Sequence, residues 1–196
     1  MGFDLSGLCP TENTPQPESI TKWYNKDGWV EWKEMEKVEG ASTEYFEAME
    51  KWSNENPGDY FRANIWHWRP LWDYVCDVCD DILTEEDMEK GTYNDGHEID
   101  NDKSLDISIR LKTLYEDGKV LKHQIEREVY LSNLDLVECT ICNGTGKRDD
   151  EHVKGDCNGC EGEGKRENFV TNYPFHAESV LEFANFCEQS GGFSIC

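Results

Sequence analysis

Cys139-Thr140-Ile141-Cys142-Asn143-Gly144-Thr145-Gly146-Lys147-Arg148 returns eighteen residues later as Cys157-Asn158-Gly159-Cys160-Glu161-Gly162-Glu163-Gly164-Lys165-Arg166. The chain thus carries one C-x-x-C-x-G-x-G-K-R unit twice. A C-x-x-C turn places two thiolates about 3.5 to 4 Å apart on one side of a metal ion, and two such turns close a tetrahedral shell. The spacing predicts Cys139, Cys142, Cys157 and Cys160 as the ligands of one Zn2+. Glycines after each second cysteine permit φ > 0, so that the chain reverses and backbone N–H groups approach the sulfurs. A four-cysteine shell leaves no open position, which makes the metal structural rather than catalytic.

Working outward, helical signals flank the repeat on both sides. Leu71, Trp72, Val75, Val78, Cys79 and Ile82 recur at helical spacing, with Pro70 read in the first turn, where its missing N–H costs nothing. Ser42 reads as the cap of a shorter helix with Tyr45, Phe46, Met49 and Trp52 on one face, ended by Pro57-Gly58. Thr84-Glu85-Glu86-Asp87 resembles a capping box with Asp in the last place. Further helices are expected from about Lys103 to Gly118, through Leu121, Ile125 and Val129, and through Val180, Phe183, Ala184 and Cys187 up to Gly191. The expectation is a mainly α (α+β) chain: a single helical domain with an inserted small β-hairpin zinc-finger subdomain. Residues 1–136 form the helical core with an irregular insert at about 9–41, residues 137–168 the zinc segment, and residues 169–196 a C-terminal helix packing back on the core. Strands are expected around the zinc alone.

The C-x-x-C-x-G-x-G unit resembles the cysteine-rich zinc finger of DnaJ-type chaperones, in which four units form two zinc sites; two units suffice for one. The resemblance covers residues 139–166. No histidine here is followed by Pro-Asp, the tripeptide a J-domain requires, so the likeness stops at the finger. Met1-Gly2-Phe3-Asp4-Leu5, the stretch from Tyr60 to Trp72 and the closing Ser190-Gly191-Gly192-Phe193 resemble a group of uncharacterised bacteriophage proteins. That likeness implies a viral origin and, with it, the cytoplasm of an infected host.

Composition narrows the function classes. With 19 Lys and Arg against 42 Asp and Glu, the formal net charge is −23, which argues against direct nucleic-acid binding through a broad basic surface. A solvated, soluble surface is the plain reading of that charge, and an acidic DNA mimic the sharper one. No basic n-region with an apolar core opens the chain, and no apolar run has the length of a membrane span, so a membrane partner is not expected. Nine cysteines, an odd number, fit a reducing compartment.

Outside the finger, Arg62, Asn64, Trp66, His67, Trp68 and Arg69 interleave rings with polar groups, and Asn94 and His97 lie in the turn that follows the helix. Indole stacking on a base with Arg on phosphate would let this cluster hold a small nucleotide; core packing is the competing reading of the same rings. Alternation of Trp66 and Trp68 places them on an extended entry to the helix. Lys147, Arg148, Lys165 and Arg166 either offset the negative tetrathiolate centre or grip an acidic partner. Cys76 and Cys79 form another C-x-x-C, read as buried free cysteine or as half of a second zinc site. No Walker, Rossmann, nucleophile-elbow or H-E-x-x-H motif occurs. The sequence therefore predicts a non-enzymatic zinc-binding phage accessory protein, acting in counter-defence by binding a host protein or sequestering a small nucleotide. A chaperone-like or thiol-exchange protein using the zinc segment, and the acidic DNA mimic, are the alternatives.

Overall fold

Phe3 and Leu5 alternate with more exposed neighbours at the start of the chain, the period-2 pattern of a strand with one buried face. The computed structural model describes residues 2–12 and 14–196; Met1 of the opening pentapeptide and Asn13 of the 9–41 segment lie outside them. Along the chain come β1 (Gly2–Gly7), the short helices α1 (Glu18–Thr21) and α2 (Trp32–Met35), and α3 (Ala41–Glu55). Then follow β2 (Tyr60–Asn64), α4 (Ile65–Val78), α5 (Glu85–Lys90), β3 (His97–Ile99), α6 (Asn101–Glu116) and α7 (Lys119–Ser132). The cysteine-repeat segment contributes β4 (Val137–Glu138), β5 (Lys147–Asp149), β6 (Lys154–Asp156) and β7 (Lys165–Arg166). A 3-10 turn (Phe169–Asn172), α8 (Ala177–Gln189) and β8 (Phe193–Ile195) complete the fold, which is of the α+β class.

Strands are not confined to the metal segment, contrary to the expectation. β2, β1, β8 and β3 lie side by side, in that order, as an antiparallel sheet. Its inner face, Phe3, Leu5, Ile99, Phe193 and Ile195, packs on the rings of α4 and α8. Phe3 stacks on Trp68 at 5.4 Å and Trp68 on Trp72 at 5.3 Å, while Phe183 meets Trp68 edge-on at 5.7 Å. Each fully buried side chain of this size contributes about 1.5 to 3 kcal/mol, so three-residue strands suffice once they carry a Phe or Ile into the core. Both buried indoles also satisfy their N–H: Trp68 donates to the Gly91 carbonyl at 2.8 Å and Trp72 to that of Met88 at 3.1 Å.

Helix boundaries follow the caps. Asn64 accepts hydrogen bonds from the N–H groups of Trp66 and His67, so α4 begins at Ile65 and Pro70 falls inside it rather than in its first turn. Trp66 and Trp68 are therefore helical, about 200° apart around the axis, and only Trp68 is buried. The first helical turn of α3 follows a left-handed Gly40 and already includes Ser42, which is not its cap. The Thr84–Asp87 capping box is present on α5. Residues 9–41 are not merely irregular: Ile20 and Met35 are fully buried with Ala41, Tyr45 and Trp52 in a small core of their own. On α7 the apolar periodicity points outward, for Leu121, Ile125 and Val129 are all more than half exposed and Val120 is the buried residue.

Candidate metal centre and the aromatic surface beside it

The two halves of the repeat adopt one conformation twice. Left-handed backbone occurs at matching positions, Asn143 with Glu161, Gly144 with Gly162, and Gly146 with Gly164. Within each half the N–H of the glycine two residues after the second cysteine donates to the carbonyl of the first cysteine, Gly144 to Cys139 at 3.1 Å and Gly162 to Cys157 at 3.2 Å. Between halves the bonds are reciprocal: Cys139 N–H donates to Gly164 and Cys157 N–H to Gly146, both at 2.9 Å. A Cβ on Gly146 would stand 2.2 Å from the Gly162 carbonyl oxygen, and one on Gly164 2.3 Å from that of Gly144. This closeness is why both positions are glycine: each knuckle is braced by the backbone of the other.

That brace converges the sulfurs. All four cysteines are buried, and their Sγ atoms lie within 4.8 Å of one another. Cys142 and Cys160 Sγ are 3.7 Å apart, against about 3.8 Å for neighbouring corners of a tetrahedron with 2.3 Å metal–sulfur bonds. The Gly164 N–H donates to Cys160 Sγ at 3.2 Å, a contact that stabilises a thiolate. Burial pushes the Cys139 thiol up, but hydrogen bonds from the Cys142 and Ile141 amides and the neighbouring thiols outweigh it and bring it down to about 7. Burial dominates at Cys160, which rises to about 11. Four such donors can hold a metal ion, and none of the nine cysteines is in a disulfide.

No family model matches the chain, and no curated protein or solved structure matches it.

Around the centre, two-stranded pairs brace the segment, β4 with β7 and β5 with β6. The basic residues of the repeat are largely turned to this purpose. Lys147 pairs with Asp156 across β5 and β6, Arg148 with Asp150 at 2.6 Å and with Asn158 at 2.9 Å, and Arg166 reaches the Thr140 hydroxyl at 3.2 Å. Lys165 is exposed. Cys76 and Cys79 gain no third ligand among the described residues. Burial pushes each of these thiols up to about 12, keeping them protonated and poor ligands.

The expected nucleotide cluster is divided by the fold. Arg62 pairs with Asp4 across β1 and β2 at 3.4 Å, Asn64 is spent on the α4 cap, and Trp68 is in the core. Asn94 donates to the Gly2 carbonyl at 2.7 Å. His97 lies 2.9 Å from Asp87, a buried carboxylate that also accepts from Lys103 at 2.6 Å and from Thr84. Burial pushes Asp87 up, yet Lys103, Thr84 and His97 together outweigh it and hold it well below the usual carboxylate range. Trp66, His67 and Arg69 remain on the outer side of α4. There they meet residues the sequence reading did not single out: Phe169 and Tyr173, 5.4 and 5.0 Å from the Trp66 ring, and His176, 5.1 Å from His67. Arg69 donates to the Tyr173 hydroxyl at 3.2 Å. Phe169 and Tyr173, in the stretch just after the cysteine repeat, were the available signal. Trp66 is 37% exposed and Phe169 59%.

Proposed function

We propose that the chain is a zinc-stabilised, non-enzymatic binding protein whose contact surface is the patch of Trp66, Arg69, Phe169 and Tyr173. In this reading residues 137–168 are an inserted zinc-finger subdomain of the DnaJ type, reduced to a single site, and the ion is Zn2+, the usual occupant of a four-thiolate tetrahedron. The protein belongs to a bacteriophage and works in the host cytoplasm as an accessory, counter-defence factor that acts by occupying a host protein. One observation carries the assignment of the surface: its two halves come from α4 and from the turn three residues beyond β7, the last strand of the metal segment. A filled thiolate shell holds β7 against β4, and with it the start of the segment that presents Phe169 and Tyr173. Zinc thereby acts at a distance from the contact without taking part in chemistry.

Trp, Tyr and Arg are the residues that most often dominate protein–protein binding energy, which favours a protein as occupant. A nucleotide fits less well, because Arg62 is engaged with Asp4 and Arg69 is the guanidinium left in the patch. The test is affinity capture from infected host cells with the wild type and with W66A/F169A. Loss of a captured host protein by the variant, with metal content and melting temperature kept, supports the reading. An unchanged set of captured proteins refutes it.

A further inference from the structure

Val120 is buried against the core, but the longer apolar row of α7, Leu121, Ile125 and Val129, faces away from it, each residue more than half exposed. No other element covers that row among the described residues. Apolar side chains at i, i+4 and i+8 form one continuous ridge, the surface that seats between the rows of another helix. Leu136, also more than half exposed, lines a cleft of about 480 Å3 with Leu131 and Glu128, so apolar surface continues past the C-terminal end of α7. Contiguous exposed apolar surface of this kind marks a contact site.

The polar residues beside the row indicate what covers it. At about 100° per residue the row spans about 80° of the helix surface. Lys122 and Glu126 follow about 20° and 60° beyond Val129, and Glu128 and Gln124 lie about 20° and 60° beyond Leu121 on the other side. Each flank thus holds one donor and one acceptor. Within the helix they meet at i, i+4, Lys122 with Glu126 at 3.6 Å and Gln124 with Glu128 at 2.8 Å. Lys before Glu is the weaker order for an isolated helix, whose dipole favours acid near its start and base near its end. No acidic side chain in the first turn and no basic one in the last turn offsets this. The order does little for α7 alone, yet it suits a helix running the other way. A two-fold axis through Ile125 and across the helix sets Leu121 over Val129 of a second copy and turns each flank onto its own counterpart. Lys122 then faces Glu126 of the second copy, and Gln124 faces Glu128.

We propose that α7 is the interface of a two-fold homodimer, packed antiparallel on α7 of a second copy with Ile125 at the axis. Self-complementarity is what an isologous contact requires and what a contact with an unrelated protein does not. Burial of the apolar row supplies the affinity, while the exposed charges at its rim add little to it and fix the direction. The inference needs neither the metal nor the Trp66 patch. Arg127, which holds the Tyr173 carbonyl at 3.2 Å, lies about 160° round the helix from Ile125.

Sedimentation equilibrium of the full-length protein, from about 1 to about 200 μM, reads the association in about 0.3 M salt, which screens the repulsion between two chains of net charge −23. A reversible monomer–dimer equilibrium is expected. Ile125→Asp puts two charges at the axis and should weaken it about 100-fold or more, with the melting temperature kept because the residue is exposed in the monomer. Lys122→Glu and Glu126→Lys, each alone, should weaken it about three- to tenfold. An equimolar mixture of these two variants should recover wild-type association, since each supplies the charges the other lacks. A monomer at every concentration, a dimer indifferent to Ile125→Asp, or a mixture no tighter than either variant overturns the proposal; the first of these leaves the ridge to a partner of other chemistry.

Discussion

Replacing Gly146 by alanine should strike the metal centre through the backbone without touching a ligand. Gly146 has φ of 70°, and an alanine held there costs about 1 to 2 kcal/mol. Its Cβ would stand 2.2 Å from the Gly162 carbonyl oxygen, so the two knuckles must separate by about 1 Å to restore ordinary contact. Separation stretches the 2.9 Å bond from Cys157 N–H to the Gly146 carbonyl, worth about 1 kcal/mol net. Together these give about 2 to 3 kcal/mol, or about 30- to 150-fold weaker metal binding at 1.4 kcal/mol per decade. The internal near-symmetry requires Gly164→Ala, at 2.3 Å from the Gly144 oxygen, to lose a similar amount. Gly118→Ala is the control: its φ is 72°, nothing lies within 4 Å of its Cβ, and it sits between α6 and α7, so fold stability falls but metal affinity does not. Competition against a chromophoric zinc chelator reads all three. Wild-type affinity in G146A, or a large effect in one glycine variant and none in the other, would refute the reciprocal brace.

Other consequences are separable. Stripping the metal should remove amide protection from residues 137–168 and loosen Phe169–Tyr173, while α4, α6 and α8 keep theirs, because the four cysteines form a core apart from the main one; hydrogen exchange with and without chelator shows this, and loss of protection throughout would contradict it. Asp87→Asn should destabilise the fold by about 3 kcal/mol at pH 7, since Lys103 is left without its buried partner. Because the folded-state pKa of Asp87 is lowered, its contribution is fully present above the unfolded value of about 4 and is lost as pH falls through the folded one. The gap between wild type and variant in urea unfolding should therefore narrow steadily as pH falls below about 4, and a gap that stays constant would be inconsistent with the network. Trp66→Ala, at a residue 37% exposed, should leave the melting temperature nearly unchanged and cost about 2 kcal/mol in partner binding.

The cysteine repeat was readable because its instructions are local. Spacing, glycine positions and ligand type all lie within twenty-eight residues, from Cys139 to Arg166, and the Thr84 capping box is local in the same way. The sheet was not readable, for its strands are three to six residues long and come from four distant parts of the chain. Phe3 with Leu5 and Phe193 with Ile195 carry a period-2 hint, each too short to separate from chance. At α4 the proline signal competed with the asparagine cap, and Asn64, bonded to two amides, set the start. Periodicity on α7 revealed the helix but not which side faces the core. The Trp66 cluster was half legible: α4 was visible, but its companions Phe169 and Tyr173 lie about a hundred residues away and arrive through tertiary packing alone.

The proposed function requires a single structural zinc held by four paired-knuckle cysteines. Native mass spectrometry of the wild-type protein, purified without added metal and compared with C76S/C79S, tests it directly. One Zn2+ per chain in both proteins is the predicted result. A wild type with no metal, or with two ions of which one disappears in C76S/C79S, would contradict the account.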